Sequence, residues 1–472
     1  MLSRLGLWAL VLPLSACVSL TPTAPGLPDI AAPAAWSTTP AITGNANLNL
    51  AQWWQRFDDP LLATLILQAL QANTSVRSAQ AALLQARALR DVAAAGLLPG
   101  VTGSASAQRS KSGNASPGNV FNAGFDASWE PDVFGGNRNA LQAGEASAQA
   151  SAASLADVQV SIAAEVAIGY IQYRGAQSRL AIARDNLASQ LETLQITGWR
   201  VQAGLLTSLE GEQARAASEQ TQAQIPTLET SVAQFRHSLE LLCGQTPDAL
   251  RAQLASPSPV PQAQNNLALN MPAETLRQRP DVRAAEYQVS AALARVGQAD
   301  AARYPSFRLN GSLGLSALTL GTLTGSGALA RAILGSVSVP LFDAGAGKAQ
   351  VRAQQAALEQ TRMSYQATVL TALKDVEDAL VALAGDRERL LRLRNAADAA
   401  ANAALIARQR YASGLVDFQT VLETQRSLFN TQDAVATTTT DLSADHVRLY
   451  KALGGGWQPE LDSVTITQSS NS

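Results

Sequence analysis

The closest approach to a nucleotide site in this chain is Gly345-Ala346-Gly347-Lys348-Ala349, because a lysine after a glycine turn is how a phosphate loop meets a terminal phosphate. The run lacks the leading glycine of such a loop. It also lacks the Ser or Thr that would follow the lysine and hold Mg²⁺. Gly325-Ser326-Gly327-Ala328-Leu329-Ala330 fits a loose dinucleotide spacing, but it falls between two strand-like runs, so no helix points its N-terminus at a phosphate. It reads as a surface loop. Two histidines, His237 and His446, and two cysteines, Cys17 and Cys243, are too few for a metal set or a nucleophile–base pair. Cys243, in Leu-Leu-Cys-Gly, reads as a small buried apolar residue near a helix C-cap. The acids Asp375, Glu377 and Asp378 lie on a long helical run and read as its solvated face. No cofactor, metal or catalytic residue is assigned, and the chain is expected not to be an enzyme.

Composition turns the question from chemistry to architecture. Of 472 residues, 15% are charged and 5% aromatic, and the apolar share is mostly Ala and Leu, which suits long, closely packed helices. A net charge of -2 leaves no basic footprint for nucleic acid. Residues 1–16 read as a signal peptide, with Arg4 before a short apolar run from Leu5 to Leu14 that is too short to span a bilayer. Leu14-Ser15-Ala16-Cys17 resembles a bacterial lipobox, which makes Cys17 the expected lipidation site. Val18 after it favours sorting to the outer membrane. Residues 17–50, rich in Pro, Ala and Thr, read as a lipid-anchored extended tether, and 457–472 as a disordered tail. No later segment offers the roughly 18 uncharged apolar residues of a membrane helix, so any spanning must be done by strands.

The chain is written twice. Val76-Arg77 matches Val282-Arg283 and Pro99 matches Pro305, both offset by 206 (282 − 76). Arg200-Val201-Gln202-Ala203-Gly204-Leu205 answers Arg410-Tyr411-Ala412-Ser413-Gly414-Leu415, offset 210 (410 − 200). The expected repeats are 51–260 and 261–456, each a helix, two strands and a long helical hairpin. Asp59-Pro60 opens the first helix as N-cap and first helical residue, and Asn73-Thr74-Ser75 breaks and recaps it. Period-two alternation predicts strands over 101–108, 121–129, 307–315 and 331–341. Helices without proline run from Gly136 to about Thr197 and from Ala344 to about Arg410, with Gly169, Gly175 and Gly385 as expected interruptions. Val351, Leu358, Tyr365, Ala372 and Ala379 stand seven apart, and Val369, Val376, Leu383 and Leu390 fill the complementary seam. Turns are predicted around 198–207 and 413–418, with returning helices ending near Gly244 and Gly454. This plan puts the strands at one end and both hairpin turns at the other.

Four strands cannot close a conducting barrel, and open edges in lipid leave backbone groups unpaired at several kcal/mol each. Closure demands more than one chain. Three give twelve strands, with apolar faces toward lipid and Asn/Asp/Ser faces lining a wet lumen.

On its motifs the chain resembles the TolC/OprM-type outer-membrane efflux proteins, in the NodT-like lipoprotein branch. These are Trp53-Trp54-Gln55-Arg56-Phe57-Asp58-Asp59-Pro60-Leu61, Trp129-Glu130-Pro131-Asp132-Val133-Phe134-Gly135, Arg279-Pro280-Asp281-Val282-Arg283-Ala284-Ala285-Glu286, Pro340-Leu341-Phe342-Asp343-Ala344-Gly345, and the run from Arg410 through Val421-Leu422-Glu423-Thr424-Gln425. The resemblance implies a mainly α fold with membrane β: long hairpins forming an α-barrel, and four strands per chain completing a 12-stranded β-barrel in a homotrimer. It implies an outer-membrane channel of a tripartite efflux system, extending into the periplasm and passing drugs or other small toxic compounds. A periplasmic adaptor and an inner-membrane pump, often of the RND class, are the implied partners. A duct for polypeptide secretion and a periplasmic coiled-coil adaptor are the competing readings; an adaptor would have one hairpin, without alternating strands.

The resemblance also implies a gate at the tip of the second hairpin, built from acidic rings and inter-helix polar links. The matching positions are Asp417 and Glu423, with Arg410 and Tyr411 as tethers. The family position matched by Glu423 is usually Asp. Asp417 serves equally well as an N-cap, and Glu423 as a solvated helix residue. Asp417 answers Thr207 at offset 210 (417 − 207), which singles out the second hairpin as the moving one. The paired turns Gly204-Leu205 and Gly414-Leu415 are the expected adaptor contacts. Cys17→Ser should abolish incorporation of a clickable palmitate analogue into the protein in growing cells; retained label would refute lipidation at Cys17.

Overall fold

The computed structural model describes Trp36 and residues 50–114, 116–263 and 278–457. The expectations for the signal peptide, Cys17 and the tail beyond Trp457 lie outside them. The tether expected over 17–50 is described only at its end: Trp36 is buried in the core, and Leu50 begins a 3-10 turn that runs to Phe57.

In chain order the elements are α1 (Pro60–Ala72), α2 (Thr74–Ala95), β1 (Gly100–Ser110), β2 (Gly118–Trp129), α3 (Gly136–Gln202), α4 (Ser208–Leu242), the short α5 (Arg251–Leu254), α6 (Pro280–Ala301), β3 (Ser306–Ala317), β4 (Leu329–Ser338), α7 (Ala346–Ala412) and α8 (Phe418–Ala452). The plan recurs within the chain. α3 and α7 each have 67 residues, and α4 and α8 each have 35. The two compact units do not follow the sequence halves. One gathers Ala81–Ala153 and Arg283–Thr368; the other gathers Ala31–Gln80, Ser154–Val282 and Val369–Ser472.

The first unit holds the sheet. Its order is β1-β2-β3-β4, antiparallel throughout, so among the described residues β1 and β4 each keep an unpaired edge. One face carries Val101, Phe125, Leu313 and Ile333. The other carries Thr102, Ser104, Asn122, Asp126, Asn310 and Ser312. Side chains there bond across strands: Ser104 Oγ donates to Asp126 Oδ2 (3.2 Å) and Asn122 Nδ2 to Ser106 Oγ (3.3 Å). β4 ends at Ser338, short of the expected Leu341, because Pro340 has no N–H to give a ladder. Leu329 and Ala330, expected in a loop, already belong to β4.

The second unit holds the aromatic core. Asp59 caps α1 with Oδ1, which accepts from Leu61 N (2.9 Å) and Leu62 N (3.0 Å). Its Oδ2 accepts from the Tyr170 hydroxyl (2.9 Å). Burial pushes that hydroxyl's pKa up to about 12. Arg174, 2% exposed, gives its buried charge to the Tyr170 hydroxyl (3.1 Å), Gln177 Oε1 (2.8 Å) and the Ser256 carbonyl (2.7 Å). Trp53 stacks on Tyr450 with centroids 5.4 Å apart. Asn73 ends α1 and starts α2, its side chain accepting from Ser75 N (2.8 Å).

The predicted seam residues of α7 are buried, save Tyr365, which is partly so. The expected glycine interruptions do not occur: α3 and α7 run unbroken through Gly169, Gly175 and Gly385. Gly169 and Gly175 are contact points instead, facing Leu239 and Thr440. α3 does contain a stretch apolar and long enough for a membrane helix, against expectation. Half of that stretch is buried, and Ile162, Ala163, Val166, Ala167 and Ile171 of α3 lie in the aromatic core. Asp375 is not merely solvated: it pairs with the buried Arg279 (3.3 Å), which also pairs with Asp281 (2.7 Å).

A Cβ at Gly175 would collide with Thr440. Gly175→Ala should therefore destabilise the protein by about 1–3 kcal/mol, read as a lower thermal midpoint; Gly385→Ala, which meets nothing within 4 Å, is the matched control.

Candidate functional site

The two hairpin turns close in the same way. Gly204 and Gly414 both sit at φ 72°, a left-handed conformation that glycine adopts without strain. Leu205 N bonds back to the Arg200 carbonyl (2.8 Å) and Leu415 N to the Arg410 carbonyl (2.9 Å). Each leucine's side chain is left in the open, 73% and 74% exposed. α3 runs through Gly198 to Gln202, so the first turn is shorter than the 198–207 expected.

The caps of the returning helices use the same two chemical groups with positions exchanged. At α8, Asp417 is the N-cap; its Oδ1 accepts from Thr420 N (2.9 Å) and from the Thr420 hydroxyl. At α4, Thr207 is the N-cap, and Glu210, one turn in, reaches back: its Oε2 accepts from Thr207 N (3.1 Å) and from the Thr207 hydroxyl. Thr207/Glu210 and Asp417/Thr420 are each offset by 210 (417 − 207 and 420 − 210). Each tip thus places one carboxylate on a helix N-terminus, where the dipole favours it. The hydroxyl, then the amide of Thr420 holds the Asp417 carboxyl below its usual range. The difference read from Asp417 against Thr207 is one of residue type, while charge is matched.

The tips differ in their aromatic residues. Tyr411 packs against Phe418 with centroids 5.5 Å apart, where the first tip has Val201 and Ser208. The guanidinium of Arg200 lies over the Tyr411 ring at 5.0 Å. The Tyr411 hydroxyl is buried without a hydrogen-bond partner among the described residues. Of the predicted site residues, the structure brings Asp417 into the cap and Tyr411 into a link between hairpins. Glu423 stays exposed and accepts only from Gln419 Nε2 (3.1 Å) on its own helix. Arg410 is exposed and contributes its carbonyl to the turn; the arginine that meets Tyr411 is its repeat partner Arg200.

That link is the last rung of a ladder which sequence reasoning missed. Arg179 forks onto Asp433 (2.6 and 3.1 Å), Asn186 Nδ2 donates to Gln432 Oε1 (3.1 Å), and Gln425 Nε2 donates to Thr193 Oγ1 (3.1 Å). The rungs on α3 are 179, 186, 193 and 200, seven apart, which is the period of a helix-packing seam. The signal was present: the same heptad spacing identified the α7 seam, but polar residues at those positions do not stand out by hydropathy. Away from this seam, the glycine run that resembles a phosphate loop is occupied by the chain's own carboxylate, since Asp343 accepts from Gly345 N (2.8 Å) and Gly347 N (2.7 Å). Cys243 is the C-cap of α4, and burial pushes its thiol up to about 11. His446 is buried on α8 with Nδ1 on the Leu442 carbonyl (2.8 Å), and burial pushes its pKa down. Among the described residues no three His, Cys, Asp or Glu side chains converge as a metal would require.

A family model described as "Outer membrane efflux protein" matches residues 65–245 and 271–455. The outer membrane protein OprJ of Pseudomonas aeruginosa is 31% identical over 437 residues, covering 90% of this chain and 91% of OprJ. SilC of Salmonella typhimurium, described as a probable outer membrane lipoprotein, is 30% identical over 426 residues, covering 89% and 91%. Among solved structures, the outer-membrane channel OprN superposes with a TM-score of 0.85 at 35% identity, over 92% of this chain and 99% of that one.

Because the Asp417 carboxyl titrates below its unfolded value of 3.8, its capping contribution is present above that pH and is lost as pH falls through the lower folded value. At neutral pH Asp417→Ala should speed amide exchange at the start of α8 about fivefold, and Asp417→Asn much less; the Asp–Asn difference should vanish well below pH 3.8.

Proposed function

The chain belongs to the outer membrane efflux protein family, and from that membership we propose that three copies form one gated conduit from periplasm to exterior. It is an outer-membrane channel protein of an efflux system. The trimer reading is supported by the sheet: two unpaired edges, an apolar face with Phe125 and Ile333 exposed, and a polar face with Asn122 and Asp126. Three such sheets make twelve strands, whose apolar faces meet lipid and whose polar faces line the lumen. The cargo is small molecules, drugs or other toxic compounds among them, and the chain takes no chemical step. Energy comes from an inner-membrane pump, of the RND class, reached through a periplasmic adaptor. The exposed Leu205 and Leu415 beside Gly204 and Gly414 form the adaptor contact. Cys17 carries the lipid anchor, a reading that the name of SilC supports.

The observation that carries the gate is the heptad-spaced ladder between α3 and the second hairpin, with three rungs on α8 and the last, Tyr411, near the end of α7. Four contacts along one seam, two of them involving arginine, hold the second hairpin against the first. Opening moves the second hairpin off α3 and releases these contacts, Arg200–Tyr411 at the tip first. Asp417, present three times around the axis, supplies an acidic ring that concentrates cations at the mouth; Glu423 adds a second ring six residues, about 9 Å, further along α8, and Arg410 an exposed cation beside them.

Single-channel conductance in planar bilayers tests this. Arg179→Ala with Arg200→Ala should raise the open probability several-fold, and conductance no greater than wild type would refute the ladder as a gate. Asp417→Asn keeps an N-cap and removes the charge. Altered cation selectivity supports the ring, whereas unchanged selectivity reduces Asp417 to a cap.

A further inference from the structure

A guanidinium stands on the sheet's apolar face. Arg331 shares a row with Gly103, Phe125 and Leu313, and the adjacent row holds Val101, Ala127, Gly311 and Ile333. Phe125 is 64% and Ile333 85% exposed. No acid occupies this face of the four strands, and Arg331 has no ion pair or hydrogen bond among the described residues. A trough of about 670 Å³ lies at the same place, lined by Val101, Phe125, Leu313, Arg331 and Ile333. Gly311 also lines it, and a Cβ there would meet nothing within 4 Å. An apolar trough with one unneutralised cation at its side has the chemistry of an amphiphile site: hydrocarbon over the glycine, an anion on the guanidinium.

Depth along the strand agrees. Arg331 is the third residue of β4 after the loop, about 7 Å from the strand's start. A cation on a lipid-facing strand is tolerated near the headgroup layer and strongly disfavoured at the midplane. Its long stem lies along apolar surface while the charged end reaches the interface. The guanidinium fork matches two phosphate oxygens.

We propose that this trough binds an anionic phospholipid, with an acyl chain over Gly311 between Phe125 and Ile333 and the headgroup phosphate on Arg331. The inference rests on the reading of this sheet as part of a membrane barrel and adds to it a specific lipid class and a specific residue. Arg109 lies on the same face, but six residues along β1 from Gly103, about 20 Å by strand rise, and takes no part.

The test uses the purified full-length protein, delipidated in detergent. It is titrated with phosphatidylglycerol, with phosphatidylcholine of the same acyl chains and with inorganic phosphate, and bound lipid is counted by native mass spectrometry. Phosphatidylglycerol should bind more tightly than phosphatidylcholine. Arg331→Gln should weaken it about fivefold, the worth of one basic residue at an anionic lipid surface. Arg331→Lys should retain most of the affinity, and Arg109→Gln should leave it within about twofold. Gly311→Leu, which keeps the charge and fills the trough, should weaken both lipids. Equal binding of the two lipids, unchanged phosphatidylglycerol binding by Arg331→Gln, or displacement by inorganic phosphate alone would overturn the proposal. If Arg331→Gln does not assemble, unchanged lipid binding by Gly311→Leu overturns it as decisively. Failure of the wild-type protein to insert into vesicles would overturn the barrel reading and this one together; insertion without lipid preference would overturn this one alone.

Discussion

A β-strand edge in hydrocarbon has no water to satisfy it, and this constraint governs how the molecule must be used. The sheet exposes one full edge on β1 and another on β4. Its apolar face is unpartnered among the described residues. A soluble sheet of this kind would be an aggregation hazard. In a membrane the same features become the joints of a larger closed sheet. The helices inherit the consequence: copies joined through their strands bring their hairpins around a common axis. On the proposed function, contacts between hairpins decide whether that axis is open.

Those contacts are polar where a helix seam is ordinarily apolar. α7 buries Val369, Val376, Leu383 and Leu390 at heptad spacing, which suits a joint that stays closed. The seam of α3 against the second hairpin carries Arg179, Asn186 and Thr193 facing α8, and Arg200 facing Tyr411 of α7, at the same spacing. Arg179 and Asp433 are 39% and 29% exposed, a setting in which an ion pair is worth little alone and is weakened by salt. Several weak contacts in register suit the releasable joint that the proposed gate requires. An apolar seam of equal length would resist water entry and open reluctantly.

Much of this was legible in the residues. Asp59-Pro60 marked a helix start by cap chemistry, and all four strands followed from alternation with ends off by a few residues. Where reading failed, a local signal had been taken as stronger than its surroundings. Gly198 looked like a helix stop, yet the left-handed glycine is Gly204, and the helix carries Arg200 past it into contact with Tyr411. Gly169 and Gly175 looked like breaks because their partners, Leu239 and Thr440, are remote in sequence. Trp36 lies in a stretch whose composition suggests an unpacked tether, and only the fold reveals the core that buries it. The ladder escaped notice because its partners are more than two hundred residues apart.

The exchanged caps constrain how the two halves can diverge. Thr207/Glu210 and Asp417/Thr420 each bond as a pair. Asp at 207 beside Glu210 would set two carboxylates against one helix N-terminus. Thr at 417 beside Thr420 would leave that terminus with none. Any recombination between the halves that cuts between cap and third residue therefore produces one overcharged tip and one uncharged tip.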